Sequence, residues 1–360
     1  MQSTRIARAL ALAALALAPP VLAAVALSGE WIVVSGSGNT LDDLAAQVGD
    51  EKIVRSEPAL GITRLGRSLK VAGELVMSGG AEAEGLFRYD RLVEMDISQC
   101  GQARIEVLGA QENGGRAATL VLSRTKLSAF HPEKDLDECK ESNVLSVRGV
   151  LRMKDSLVIG NINCQASDGA HVEIERSTIS FCRNYALSLA RVRASDILLR
   201  ESSFLDSAMY GLKIGPVEGT LRIWRCTVRG LAADVYVCDK ADVELIDCDV
   251  KTIRFAGRAG RVWRKWTVTV HAGAPGLRVV ARSEPEAGLR ETVRARTGSD
   301  GSCRVVLAEY LATPGRSEPE PGENMLTPHT ITVLSADGRR ALWRISNYRV
   351  FMPDQEVVLK

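Results

Sequence analysis

The chain has 360 residues, room for two or three domains, and its 46% apolar and 25% charged content excludes a disordered protein. With 46 Lys and Arg against 44 Asp and Glu, the formal charge is +2, too near balance to wrap nucleic acid by bulk charge. Four histidines are a small supply for a His-ligated metalloenzyme.

The first segment reads as an export signal. Arg5 and Arg8 precede an Ala/Leu run at residues 9–18, then Pro19-Pro20 and small residues to Ala26. Ala24-Val25-Ala26 supplies an A-x-A cleavage site, with cleavage after Ala23 as the alternative. Residues 9–27 lack charge, so an uncleaved anchor competes; two prolines and the heavy alanine content weaken it. No later run is long enough to span a bilayer. The expectation is therefore an exported chain (periplasmic, cell-surface or secreted) that loses residues 1–26 and keeps no transmembrane segment. Residues 27–60 follow as an N-terminal cap. Within them Thr40-Leu41-Asp42-Asp43 before Leu44-Ala45-Ala46-Gln47-Val48 predicts a capped amphipathic helix.

A repeat then dominates. Strings beginning at Leu151, Val172, Ile197, Leu221 and Val243 recur every 21 to 25 residues. Counting each start as zero, offset two holds Met153, Ile174, Leu199, Ile223 and Leu245. Offset five holds Ser156, Ser177, Ser202, Cys226 and Cys248, and offset seven holds Val158, Ile179, Phe204, Val228 and Val250. Offsets zero, two and seven alternate inward on short strands, while a small residue at offset five suits a tight bend. A second strand per coil is marked by Leu187 and Leu189, Leu212 and Ile214, and Val235 and Val237; Tyr185 and Tyr210 precede two of these and stand ready to stack. One such coil cannot bury its inner face alone, whereas stacked coils share a core. With the phrase Tyr210-Gly211-Leu212-Lys213-Ile214, these strings resemble the right-handed parallel β-helix superfamily that includes pectate-lyase-like enzymes. The resemblance covers residues 61–257 and implies a fold, not an activity. Earlier strand-like pieces at 68–75, 92–97 and 103–108 read as less regular coils, and the charged stretch 131–142 as a projecting loop.

The repeat is expected to stop at the basic segment 254–265. Residues 258–360 then show short alternating strands between Gly, Pro and Asp turns, the pattern of a small all-β sandwich. Thr297-Gly298-Ser299-Asp300-Gly301 leading into a strand, and residues 328–334 ending at Asp337-Gly338, resemble the carboxypeptidase-regulatory, transthyretin-like group of immunoglobulin-like modules. That resemblance implies a spacer or stabiliser. The fold class is thus all-β: a right-handed parallel β-helix with an N-terminal capping helix and a C-terminal immunoglobulin-like β-sandwich.

Chemistry is sought on the solvent face of the first strand, where the β-helix resemblance implies that enzymes place their catalytic groups. Glu173 and Glu175, outward on one strand about 7 Å apart, meet the spacing of a glycosidase pair, but neighbouring arginines would satisfy them. A lyase or epimerase needs a base and cations to neutralise a uronate, for which Arg200, Arg222 and Lys213 are candidates. Trp224 is placed to stack on a sugar, with Arg200 and Arg222 beside it for acidic groups. Trp263 and Trp266 read as junction packing between domains. Cys226 and Cys248 read as small stacked thiols. His131, His171, His271 and His329 share no ligand spacing, and no cofactor motif is present. The leading expectation is an exported cell-surface or extracellular element, structural or carbohydrate-binding, with a polysaccharide or surface glycan as partner, no nucleic acid and no cofactor. Its candidate contacts are Trp224, Arg200, Arg222, Lys213 and Glu175. The alternative is an acidic-polysaccharide lyase or epimerase on the same face, the one case in which Ca²⁺ would enter.

Overall fold

In a computed structural model, the described residues are 24–79, 93–97, 103–129, 143–284, 289–321 and 323–359. One coil shows how the sequence folds. Val150–Lys154 alternates once across a strand and joins sheet I, Leu157–Ile159 joins sheet II, and Ile162–Ser167 joins sheet III. His171–Glu175, Thr178–Ser180 and Tyr185–Ala190 repeat this one rung on, all parallel, setting Met153 against Ile174, Val158 against Ile179 and Cys164 against Leu187. Continued stacking produces sheets of ten, eight and ten strands among the described residues, a parallel β-helix. The repeated offsets point inward: Ile174, Leu199, Ile223 and Leu245, like Val158, Ile179, Phe204 and Val228, are fully buried.

The corner between sheets I and II explains offset five. Ser177 Oγ accepts from Ser156 N at 3.1 Å, Ser202 Oγ from Ser177 N at 3.2 Å, and Ser156 Oγ from Thr125 N at 3.1 Å. Each of these hydroxyls donates to the carbonyl two residues before it, and Cys226 and Cys248 continue the column through their thiols. The residue just before each column member is left-handed: Arg124, Asp155, Arg176, Glu201, Arg225 and Asp247 have φ between 44° and 53°. That conformation disfavours side chains, so it persists only where the surrounding bonds hold it. These six residues alternate in charge sign up the solenoid. Arg176 Nε reaches Asp155 at 2.7 Å and Arg225 Nε reaches Asp247 at 3.8 Å.

At the N-terminal end, Thr40 caps helix Leu41–Val48 in a reciprocal box with Asp43, and Leu41 and Leu44 enter the solenoid core. Sheet III starts earlier than the repeat suggested. Trp31–Ser35, inside the span read as a cap, pairs in parallel with Ser68–Val71, and Ala24–Ser28 folds back on it antiparallel. Processing after Ala23 would leave that outer strand whole; processing after Ala26 would remove more than half of it. The single strand expected at 68–75 is two, Ser68–Val71 in sheet III and Glu74–Ser78 in sheet I. They are parted at Gly73, where a Cβ would stand 2.0 Å from Gly36 O. The stretch 131–142 lies outside the described residues.

At the other end the repeat runs one rung further than expected. Arg261–His271 is one strand whose first five residues pair in parallel with Asp242–Ile246. On its other edge Val262–His271 pairs antiparallel with Ser302–Ala312, and its outer end, Val268–His271, pairs with Gln355–Val358. The rung was hidden because the inward position held by Leu245 in the coil before holds Arg264 here. That guanidinium, 9% exposed, donates to Val250 O at 2.8 Å and lies 4.6 Å over the Trp266 ring, closing the apolar core with a charge. A four-stranded antiparallel sheet IV (Thr292–Arg296, Arg278–Ser283, His329–Leu334, Ala341–Tyr348) packs on the outer half of this strand across a second core containing Trp266, Val268, Val279 and Ile331.

Polar contacts stitch this junction. Asp247 accepts from Thr267 N and Oγ1, and Lys265 Nζ reaches Glu244 at 2.9 Å and Glu291 at 3.0 Å. Burial opposes charging Lys265, but Glu291 and Glu244 outweigh it and raise its pKa; burial likewise opposes Glu244, and Lys265 and Arg222 hold it below the usual carboxylate range. Trp266 donates to Glu309 at 2.7 Å, and Trp263 packs against Ala308, Leu311 and Leu326. Among the described residues no helix is long and apolar enough to cross a membrane.

Candidate functional site

The structure divides the five expected contacts between two faces. Glu175, Arg200 and Trp224 occupy successive rungs of one outward row on sheet I, and Arg222 lies two residues from Trp224 on the same strand. Lys213 does not join them; it points outward from sheet III, between Ser188 and Tyr236. The two arginines are already engaged. Arg200 pairs with Glu201 at 3.2 Å and Arg222 with Glu244 at 2.9 Å, while Trp224 is half-buried. Lys213 instead lies 5.5 Å over the Tyr185 ring, with no carboxylate partner among the described residues.

A site missed in the sequence lies at the corner between sheets II and III. There a cleft of about 620 Å³ is lined by Asn161, Phe181, Arg183, Asp206, Arg229 and Leu231, among others. Its lip repeats a left-handed residue in each coil: Asn161 at φ 60°, Phe181 at 55° and Asp206 at 51°. Asn and Asp tolerate that conformation, whereas a bulky aromatic there is an outlier, and Phe181 is 38% exposed besides. The floor is firm. Buried Asp234 accepts from Gly230 N, Lys251 N and Thr252 N, and buried Asn163 accepts from Asn184 N and Tyr185 N. Gly230 is required, since a Cβ there would stand 2.3 Å from Ala233 O.

Asn184, in the cleft lining, directly precedes Tyr185 at the start of its sheet III strand, and Tyr210 starts the next. Tyr185 and Tyr210 are register partners, but the stack forms between Tyr210 and Tyr236, with ring centroids 4.1 Å apart and planes 3° from parallel. Gln165 donates to the Tyr185 hydroxyl. Tyr210 was visible in the repeat. The position matched to Tyr210 one coil on is Ala233, three residues before Tyr236, and the cleft residues lie in turns that carry no strand period.

A third arrangement is on sheet I. His171 Nε2 and Glu173 Oε1 are 2.7 Å apart, and Arg152 Nε approaches the other carboxylate oxygen at 3.4 Å. Glu173 is thus already paired with His171 and Arg152. Three carboxylates close together in the sequence are committed too: Asp242 to Arg261, Asp247 to Thr267 and Asp249 to Arg229. Among the described residues no group of three or more His, Cys, Asp or Glu is placed to hold a metal ion. The six described cysteines are unpaired, and burial pushes the Cys164 thiol up to about 12.

No protein-family model matches the chain, and no curated protein sequence does. Among solved structures it is similar to the periplasmic alginate epimerase AlgG, with a TM-score of 0.42 and 11% identity over 67% of this chain and 58% of that one. Two single-substitution mutants of that enzyme align at TM-scores of 0.26 and 0.25, each with 10% identity, over 64% and 61% of this chain and 63% and 70% of theirs. The chain therefore spans just over half the length of the first of these neighbours.

Proposed function

We propose that the protein is an exported, right-handed β-helix that binds an acidic polysaccharide along the corner cleft and the tyrosines beside it. Its C-terminal module, read as immunoglobulin-like, serves as a spacer. The observation that carries this reading is Phe181, an exposed aromatic held in a left-handed turn at the lip of the cleft. The neighbouring coils carry the groups a uronate chain requires: flat rings for sugar faces in Phe181, Tyr210 and Tyr236, and cations for carboxylates in Arg183 and Lys213. Titration calorimetry with oligouronates tests it. Phe181→Ala and Tyr236→Ala should each weaken binding by roughly five- to tenfold, about 1 kcal/mol per ring. Unchanged affinity in both variants would sink the cleft as the site.

A second reading, an acidic-polysaccharide lyase or epimerase on sheet I, is favoured by the His171–Glu173 pair. A carboxylate at 2.7 Å orients the imidazole as a general base, and Arg152 and Lys154 on the adjacent rung offer charge for a uronate carboxylate. Arg200 and Trp224 lie on the same face. Purified protein would be incubated with a uronate panel, with and without Ca²⁺, following ultraviolet-absorbing products and exchange of the sugar C–H proton with solvent. Turnover abolished by His171→Ala establishes this reading; no turnover on any substrate leaves binding alone.

A further inference from the structure

The charge of this nearly neutral chain is unevenly placed. Residues 258–360 hold 16 Lys and Arg against 11 Asp and Glu, so the other 257 residues hold 30 against 33. Much of the excess gathers on the outer face of sheet IV. Val279, Ala281, Ile331 and Val333 turn into the core, so the alternate residues Arg278, Arg282, Arg294, Arg296 and Arg344 turn outward, and all five are exposed. Arg278 and Arg296 are direct cross-strand partners, and Arg294 lies beside Val280 on the neighbouring row. Like charges placed opposite each other on adjacent strands destabilise a sheet. Little in the protein offsets them. Arg278 donates to Ala336 O, and Arg344 approaches Glu284 at 3.9 Å; the side chains of Arg282, Arg294 and Arg296 have no hydrogen-bond or ion-pair partner among the described residues.

We propose that this face is a second docking surface, for the backbone of an acidic polysaccharide, independent of the solenoid cleft. Guanidinium forks pair with carboxylates in two parallel hydrogen bonds, and rows of them about 4.8 Å apart across strands suit a chain carrying one carboxylate per sugar. Between the arginines stand Thr292 and Thr332, hydroxyls suited to sugar hydroxyls, and half-buried Val280. Among the described residues no large apolar side chain is exposed on this face to enter a lipid boundary, and no outward ring offers a base a stacking platform. The occupant fits the charge and not the hydrophobicity of the surface.

The test uses the full chain, with immobilised polygalacturonate as probe and neutral dextran as control. The triple variant Arg282→Gln/Arg294→Gln/Arg296→Gln should bind the uronate polymer at least about tenfold more weakly at low salt, and its log affinity against log salt should flatten by roughly two to three units of slope. Its thermal midpoint should not fall below the wild-type value, because the three side chains have no polar partner among the described residues and their mutual repulsion is relieved; should the triple variant not fold, Arg294→Glu alone is read the same way. Phe181→Ala should leave the salt slope unchanged, so a failed cleft and a failed arginine face give different results. An unaltered slope in the arginine variant overturns the proposal. So does equal retention on dextran, or binding to phosphatidylglycerol vesicles without binding to polygalacturonate.

Discussion

At the scale of single residues, the column at the corner of sheets I and II shows what a repeated side chain accomplishes. Ser177 accepts the amide of Ser156 and donates to Glu175 O, so two backbone groups of a buried bend depend on one hydroxyl. Ser177→Val removes both bonds and should cost about 1–3 kcal/mol, read by urea unfolding. Ser177→Cys should cost less than about 1 kcal/mol, since Cys226 and Cys248 fill the same position two and three coils on. Equal losses would show that size alone matters there. This column was legible in the sequence because the same small residue types recur. The left-handed residues beside it were not: Arg, Asp and Glu there carry no glycine signal. Phe181 escaped for the same reason, as a turn residue judged by neither strand periodicity nor turn chemistry.

At the scale of elements, the strand Arg261–His271 and its neighbours set the limits of what periodicity can find. The inward alternation survives through Val262, Trp266, Val268 and Val270, but Arg264 breaks the apolar pattern where the solenoid hands over to the module. Strand His329–Leu334 carries a different conflict. His329 is 1% exposed, neither ring nitrogen has a hydrogen-bond partner among the described residues, the Glu291 carboxylate stays 4.0 Å from Nε2, and burial lowers the pKa to about 4 from the ordinary 6.5. Between those two values the unfolded chain takes up a proton that the folded chain refuses. Stability therefore holds above pH 6.5 and falls as the pH drops toward 4, by as much as about 3 kcal/mol from this residue. Thermal midpoints recorded across that window should fall in the wild type and fall less in His329→Gln. Parallel decline in both would assign the acid sensitivity to other groups.

At the scale of the whole molecule, sharing one strand makes solenoid and module a single cooperative body. Calorimetry should show one unfolding transition; two separable transitions would contradict the shared strand. Lys265 is the sharpest probe of the joint. Lys265→Met takes the ammonium from Glu244 and Glu291, each at 15% side-chain exposure, and leaves Glu244 with Arg222 alone, which should cost about 3 kcal/mol. Adding Glu244→Gln and Glu291→Gln should recover most of that loss by removing the stranded charges. The fold was readable from one chain because coils repeat and each repetition restates the same burial pattern. The site was read only in part: Lys213 and Tyr210 lie on strands where the period marks them, whereas the cleft and the arginine face exist only once distant segments are side by side. Arg278 and Arg296 are eighteen positions apart in the sequence and opposite each other in the sheet.

The alternation of sign up the corner column also constrains how this solenoid can change length. Excising the one coil that carries Asp155 would set Arg124 directly beneath Arg176, like against like. Excising that coil together with the one carrying Arg176 would set Arg124 beneath Glu201 and restore attraction. The buried strands favour neither cut by pattern, since the coils removed turn apolar side chains inward like their neighbours. The surface column counts in twos, so lineages of this molecule should gain and lose coils as pairs.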